Sequence, residues 1–375
     1  MQDKIFDILK PYTENITFIT LKPNISLGLD NYRVPPKGLD IPLLTKDMAE
    51  RIKKYDENQI INLPMVIAGI GYILGIDRFF LQKDYYLELI NATGLPIIHT
   101  WLSEAAKYQK KESFEEALIY SRSILILEPE NKEASLIAGT ALYQIASRMD
   151  LKKPLRKNVV DESLRFLEWL YEQKAQNPLI QYYLGMIYRE NKTYNKALKM
   201  WQEAEKQELS EEEKAELSIQ MNVIKDLAAY ETGYQHVLRN EGRDGLMSLI
   251  PLLSRHENWW NLQFFVGLAY EQIHDFINAL EHYKKVIEIK GYHEETYLQM
   301  ANVYIELREA NKAMSLLEEI LNRNPNNAEL KCRTAMVATM ANQKQKALAL
   351  IKEAEKQDPD LEILEIAKRQ IQTLS

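Results

Sequence analysis

Residues 260–293, WNLQFFVGLAYEQIHDFINALEHYKKVIEIKGYH, and residues 294–327, EETYLQMANVYIELREANKAMSLLEEILNRNPNN, are two copies of one 34-residue pattern. Tyr270 and Tyr304 differ by that step, and Ala279, Ala313 and Ala347 repeat it twice. Pro325 and Pro359 each follow twelve residues after their alanines. Backwards along the chain, Gly233 precedes Gly267 by 34, and Gly185, Tyr188, Ala197, Trp201 and Ala204 keep the same internal spacing. Trp101, Ala105, Tyr108, Ala117 and Pro129 keep it again. Within each copy small and large residues recur at three, four and seven, which predicts two amphipathic helices joined at a turn such as Glu190 to Thr193. Such a hairpin cannot bury its apolar face alone, so neighbours must stack and the ends need caps.

The pattern resembles the tetratricopeptide repeat, with small residues at its positions 8, 20 and 27, large ones at 4, 7, 11 and 24, and Pro near 32. In that frame the units are 64–97, 98–131, 132–177, 178–211, 226–259, 260–293, 294–327 and 328–361. An irregular region, 1–63, caps the first unit, and a capping helix, 362–375, closes the last. The resemblance implies an all-α fold, an α-solenoid of about eight hairpins wound as a right-handed superhelix. Lys83, Ser163 and Gly245 depart from the family's usual alanine at the twentieth position.

Two insertions interrupt the step. Residues 148–159, RMDLKKPLRKNV, carry five basic side chains against one acid and are expected to loop outward into solvent. Residues 212–225 follow Ser210 and Glu213, which stand in capping-box spacing, so one long helix is expected to run to about Asn240. Uniform stacking through it is the favoured arrangement, and separation into two shorter arrays the other.

Composition agrees with a folded, helix-rich protein: 375 residues, 46% hydrophobic and 27% charged, with only 13 Gly and 13 Pro. Cys332 is the single cysteine, which excludes an intrachain disulfide and a Cys-rich metal centre and fits a reducing, cytoplasmic setting. A formal net charge of -7 offers no basic field to nucleic acid or to an anionic membrane. The N-terminus lacks the pattern of a signal peptide. Residues 63–76, LPMVIAGIGYILGI, fall short of the roughly 20 apolar residues of a membrane span and read as a buried helix.

Residues 16–29 read as a short strand pair turning at Pro23 and Asn24, followed by a helix near 45–56. Gly69, Gly71 and Gly75 approach a dinucleotide fingerprint, but the later strands that such a site needs are missing from the pattern, and Gly71 already occupies a small crossing position. The chain contains no phosphate-binding loop, nucleophile elbow or H-E-x-x-H, and its six histidines lack metal-ligand spacing. Cys332 has no histidine near it in sequence and reads as an inert thiol. No catalytic residue, cofactor or metal is therefore expected.

A surface can still be located. At 100° per residue, positions 2, 5, 9 and 12 of each first helix lie on the side away from the partner helix. The resemblance implies that they line the inner groove. The fifth and ninth positions hold Tyr182 and Met186, Tyr230 and Tyr234, Phe264 and Leu268, Leu298 and Asn302, then Cys332 and Met336, with Asn261 and Glu271 as polar points. The Lys and Asn clamp with which some family members grip a peptide carboxylate is missing there. Aromatic and Met side chains suit an extended apolar peptide or an amphipathic helix as partner. The expected function is a non-enzymatic scaffold or adaptor; a peptide-sensing regulator with residues 1–60 as its output comes second, and an enzyme with its site in those residues last.

Overall fold

The structure, a computed structural model, describes residues 5–23, 29, 31–53, 62–150 and 154–372. Helix α1 (Phe6–Leu9) and a 3-10 turn (Lys10–Asn15) lead into strand β1 (Ile16–Leu21), which pairs antiparallel with β2 (Leu39–Leu44), Ile16 opposite Leu44 and Leu21 opposite Leu39. The strand pair expected within 16–29 is thus corrected: the partner of β1 is 39–44. Leu39, Ile41, Leu43 and Leu44 are all buried, so β2 brings a nearly continuous apolar run to the pairing. The expected turn residue Asn24 lies outside the described residues. Helix α2 (Thr45–Lys53) follows β2 directly, and the end of the helix expected at 45–56 lies outside the described residues.

The apolar run becomes helix α3 (Leu63–Ile76): the Asn62 side chain accepts from the Met65 N–H at 3.1 Å, and Pro64 occupies the first turn. Its glycines let backbone touch backbone. A Cβ on Gly69 would stand 2.0 Å from the Pro42 carbonyl oxygen of β2. One on Gly75 would stand 2.0 Å from that of Ile119, in helix α6 (Phe114–Leu127), which follows α4 (Lys83–Thr93) and α5 (Ile97–Lys110). Helix α3 is therefore wedged against β2 and α6 and touches α4 little, so residues 64–97 do not close as a hairpin.

Regular hairpins follow: α5 with α6, α7 (Lys132–Ser147) with α8 (Pro154–Glu172), and α9 (Pro178–Glu190) with α10 (Tyr194–Glu205). Beyond the long helix α11 (Glu211–Leu238) and α12 (Gly242–Leu253) come α13 (Trp260–Gln272) with α14 (Phe276–Lys290), α15 (Glu294–Glu306) with α16 (Ala310–Arg323), and α17 (Ala328–Met340) with α18 (Lys344–Gln357). Helix α19 (Glu362–Gln372) lays Leu364, Ala367 and Ile371 on α17 and α18.

The period has a physical cause at each crossing. A small residue on the first helix meets a large one on the second, sixteen residues on: Gly185 under Trp201, Gly233 under Leu249, Gly267 under Tyr283. Gly139 meets Leu167 instead, later by the twelve inserted residues. The turns repeat too. Asn240, His274, Arg308 and Asn342, each 34 apart, all hold positive φ between 58° and 62°, as do Glu112 and Lys192 at 57° and 58°. At each turn the next N–H bonds back five residues, as Asp275 to the Tyr270 carbonyl at 2.9 Å and Glu309 to that of Tyr304 at 2.8 Å.

The insertion 148–159 is corrected from an outward loop. From Pro154 onward it is helix α8, and residues 151–153 lie outside the described ones. Arg156 is nearly buried, pairs with Glu190 and donates its Nε–H to the Ala146 carbonyl at 3.1 Å. It ties α7, α8 and α9 together. The second insertion forms the long helix as expected: the Ser210 N–H donates to Glu213 at 2.8 Å and the Glu213 N–H to Ser210 Oγ at 3.2 Å. The chain forms two compact units, Met1–Met221 and Asn222–Ser375, that divide within α11.

Candidate functional site

The second unit holds nine of the eleven groove positions: Tyr230 and Tyr234 on α11, Asn261, Phe264, Leu268 and Glu271 on α13, Leu298 and Asn302 on α15, and Met336 on α17. All are half-buried except Asn302, which is exposed. Cys332, on the same helix as Met336, is fully buried and belongs to the core; burial pushes its thiol pKa up.

The aromatic members form a connected wall. The Tyr230 ring lies 4.3 Å from Trp259, 5.4 Å from Tyr234 and 6.1 Å from Phe265. Tyr234 lies 5.5 Å from Phe265, which meets Phe264 at 5.6 Å edge-on. Phe264 continues to Tyr283 at 6.0 Å and to His293 at 5.7 Å, and His293 to Trp260 at 5.0 Å. The Lys290 ammonium sits over the Trp260 ring, 3.3 Å from its centroid. Edge and tilted contacts of this kind fix each ring while leaving part of its face open. Burial raises the Tyr230 phenol above its usual range and lowers the His293 imidazole, with Lys290 adding to the latter, so both of these rings are uncharged at neutral pH.

Trp259, Trp260, Phe265 and His293 escape the position count. The signal for Phe265 is the doublet Phe264–Phe265: adjacent helical residues lie 100° apart, so it covers two faces of α13, while Trp259 stands just before that helix in extended conformation.

Glu271 marks one edge of the wall. Tyr283 donates its hydroxyl to it at 2.6 Å, yet burial raises the carboxyl pKa, helped by the charges of Glu306 and Glu295. Leu298 and Asn302 lie elsewhere, in a cavity of about 330 Å³ between α15 and α17 with Glu294, Glu295, Glu329 and Arg333. That stretch of the expected apolar groove is polar, because the turn residues at the starts of both helices point acids into it. Leu268 packs beside the buried cluster of Val237, Leu249 and Val266, and Met336 beside that of α17 to α19.

In the first unit, Tyr182 and Met186 lie on α9. Tyr182 stands 5.2 Å from Tyr183, edge to face; burial and a hydrogen bond with Glu216 raise its phenol pKa. Met186 packs beside the first unit's core.

The sequence pointed to no metal ligands. At the α11–α12 turn, donor atoms of His236, Glu241 and Asp244 nevertheless lie within 4.8 Å of one another, and His236 Nδ1 is engaged by Glu241 at 2.6 Å. Among the described residues no helix is long and apolar enough to cross a membrane.

Comparison with known proteins agrees with the repeat. A family model described as tetratricopeptide repeat matches residues 274–332. No curated protein matches the chain. Among solved structures it is similar to the MamA protein, at 13% identity and a TM-score of 0.37, over 48% of this chain and 92% of that one. It is also similar to YrrB, described as a TPR protein with an unusual peptide-binding site, at 15% identity and a TM-score of 0.39, over 54% and 97%. A third is the C-terminal part of a TPR repeat-containing protein from Cytophaga hutchinsonii, at 14% identity and a TM-score of 0.41, over 71% and 98%. The matched segment, running from the α13–α14 turn into α17, is a tetratricopeptide repeat by that family model.

Proposed function

We propose that the protein is a non-enzymatic scaffold or adaptor, working in the cytoplasm without a cofactor, that takes a peptide segment or an amphipathic helix on the aromatic wall of its second unit. The observation that supports this reading is the run of ring contacts from Tyr230 through Phe265 and Phe264 to His293, made by side chains that each keep exposed surface. Half-open aromatic faces offer large contact area at little entropic cost. An apolar helix face or extended side chains would cover them in the manner of helix-in-groove recognition. The wall has no carboxylate clamp, and Glu271 at its edge, under the charges of Glu306 and Glu295, disfavours an anionic terminus there.

The test replaces Tyr230 and Phe264 by Leu, which keeps apolar volume while removing the rings. Because Tyr230 touches three other rings, a modest drop in melting temperature accompanies the change. Partner capture by the purified protein, and binding of an amphipathic helical peptide derived from a captured partner, is expected to weaken by about tenfold or more. Capture that survives with equal affinity removes the wall from the function.

A further inference from the structure

We propose that the α11–α12 turn of the second unit is a structural zinc site, with the His236 imidazole and the Glu241 and Asp244 carboxylates as its protein ligands. One ligand atom from each lies within 4.8 Å of the other two. His236 stands in the last turn of α11, Glu241 immediately before α12, and Asp244 in the first turn of α12. Asn240, at a φ of 62°, folds the chain back between them, and the Glu241 N–H bonds to the His236 carbonyl at 2.9 Å. The turn therefore gathers an imidazole from one helix and two carboxylates from the next before any ion arrives, which lowers the ordering cost of binding. The spacing H-x4-E-x2-D is no recognised ligand motif along a continuous helix, and only the positive-φ turn brings it together.

The next two copies of the turn serve as internal controls. There His236 is replaced by Tyr270 and Tyr304, Glu241 by Asp275 and Glu309, and Asp244 by Asn278 and Lys312. Asp275 caps its helix, accepting from the Asn278 N–H at 3.3 Å, and Glu309 pairs with Lys312. Glu241 does neither. It makes no side-chain cap bond and reaches back to His236 Nδ1 at 2.6 Å. Asp244, where the second of those copies puts Lys312, makes no ion pair among the described residues. Two carboxylates thus share one turn with an imidazole and no lysine or arginine partner, an imbalance that a divalent cation corrects.

The donor set selects the ion. One imidazole nitrogen with two carboxylate oxygens suits zinc, whereas magnesium and calcium take oxygen ligands. Three protein ligands leave the fourth tetrahedral corner to water. A ring nitrogen binds zinc only when bare, so the proton of the Nδ1–Glu241 contact moves to Nε2, which meets no partner among the described residues, and the imidazole stays neutral. The ion clamps the end of α11 to the start of α12. The site shares no residue with the aromatic wall, and its test is independent of that reading.

Zinc chloride titrated calorimetrically into the chelator-treated full chain is expected to fill one site and to raise the melting temperature. Cobalt(II), used as a coloured probe, is expected to show the intense visible absorption of a tetrahedral ion. His236→Gln, Glu241→Gln and Asp244→Asn are each expected to weaken zinc by about tenfold or more and to remove that absorption. If His236→Gln lowers helicity, the exposed Asp244→Asn carries the comparison. His274→Gln, which removes an exposed histidine at the next turn, is expected to leave the affinity unchanged, and calcium in excess is expected to leave zinc in place. The proposal is overturned by zinc that binds the parent no more tightly than Asp244→Asn or His236→Gln, which is adventitious binding only, by an affinity that falls with His274→Gln as far as with His236→Gln, or by calcium that displaces the zinc.

Discussion

Gly185 lies beneath the indole of Trp201, so close that a Cβ on the glycine would stand 2.1 Å from Nε1. Trp201 is fully buried and holds the Tyr182 carbonyl, so the ring cannot retreat without surrendering its acceptor. Gly185→Ala is expected to destabilise the first unit by about 2–3 kcal/mol through overpacking. Gly139→Ala meets Leu167 at 3.1 Å and the Phe166 Cβ at 3.3 Å, a looser contact than that with Trp201, and is expected to cost less than Gly185→Ala. Urea unfolding of the two variants checks the order, and equal losses would remove the crossing from the explanation of the period.

Ala279 is the corresponding contact from the second helix of its hairpin. It is fully buried, and its carbonyl oxygen would lie 3.3 Å from a Cβ on Gly267. Ala279→Leu is expected to cost about 1–3 kcal/mol, again by overpacking. A neutral result in thermal melting would mean that the two helices cross at another residue.

These crossings explain what could be read in advance. The 34-residue step was legible because Gly267 and Tyr283, or Gly233 and Leu249, must recur together wherever two helices approach closely. Residues 64–97 were misread as a hairpin because the neighbours of α3 are β2 and α6, and the approach of Gly69 to Pro42 has no counterpart in the repeat. The strand partner of β1 was misplaced for a similar reason: pairing with 39–44 depends on burial under α3, which no local turn signal announces. The positions of Tyr230, Tyr234 and Phe264 followed from the repeat frame and the groove positions that the family resemblance implies. Their continuation through Trp259 and His293 depends on how successive elements meet, which a position count omits.

Arg156 shows the limit of counting charges. Its partners, the Ala146 carbonyl and Glu190, lie ten residues before it and 34 after it, so a basic run that looks solvated delivers one guanidinium into the packing of three helices. The Arg156 side chain is 11% exposed and that of Glu190 29%. Arg156→Met should leave a half-buried carboxylate and a carbonyl unpaired, at a cost of about 1–3 kcal/mol. Adding Glu190→Gln is expected to recover part of that loss. A double variant no better than the single one in urea unfolding would mean that the two side chains do not act as a pair.

His282 carries the clearest pH dependence. It is buried on α14, and its Nδ1–H donates to Gln263 Oε1 at 2.7 Å. The Gln263 Nε2 donates in turn to the Glu257 carbonyl at 3.0 Å, which orients the amide and leaves Nδ1 as the protonated ring nitrogen. The ring also stacks on Tyr270 at 5.5 Å. Burial lowers the imidazole pKa from 6.5 to about 4, with the Lys285 charge acting in the same direction and Glu281 against it. The folded value lies below the unfolded one, so on acidification the unfolded chain takes the proton first. The contribution is fully present above pH 6.5 and is lost as pH falls toward 4, by up to about 3 kcal/mol. Carboxylates throughout the chain also titrate there, so the measurement must be a difference between proteins. In His282→Gln, which cannot titrate, the loss of unfolding free energy between pH 7 and pH 4 is expected to be smaller than in the parent by about 3 kcal/mol. An equal loss in both proteins would mean that the imidazole is not held neutral in the folded state.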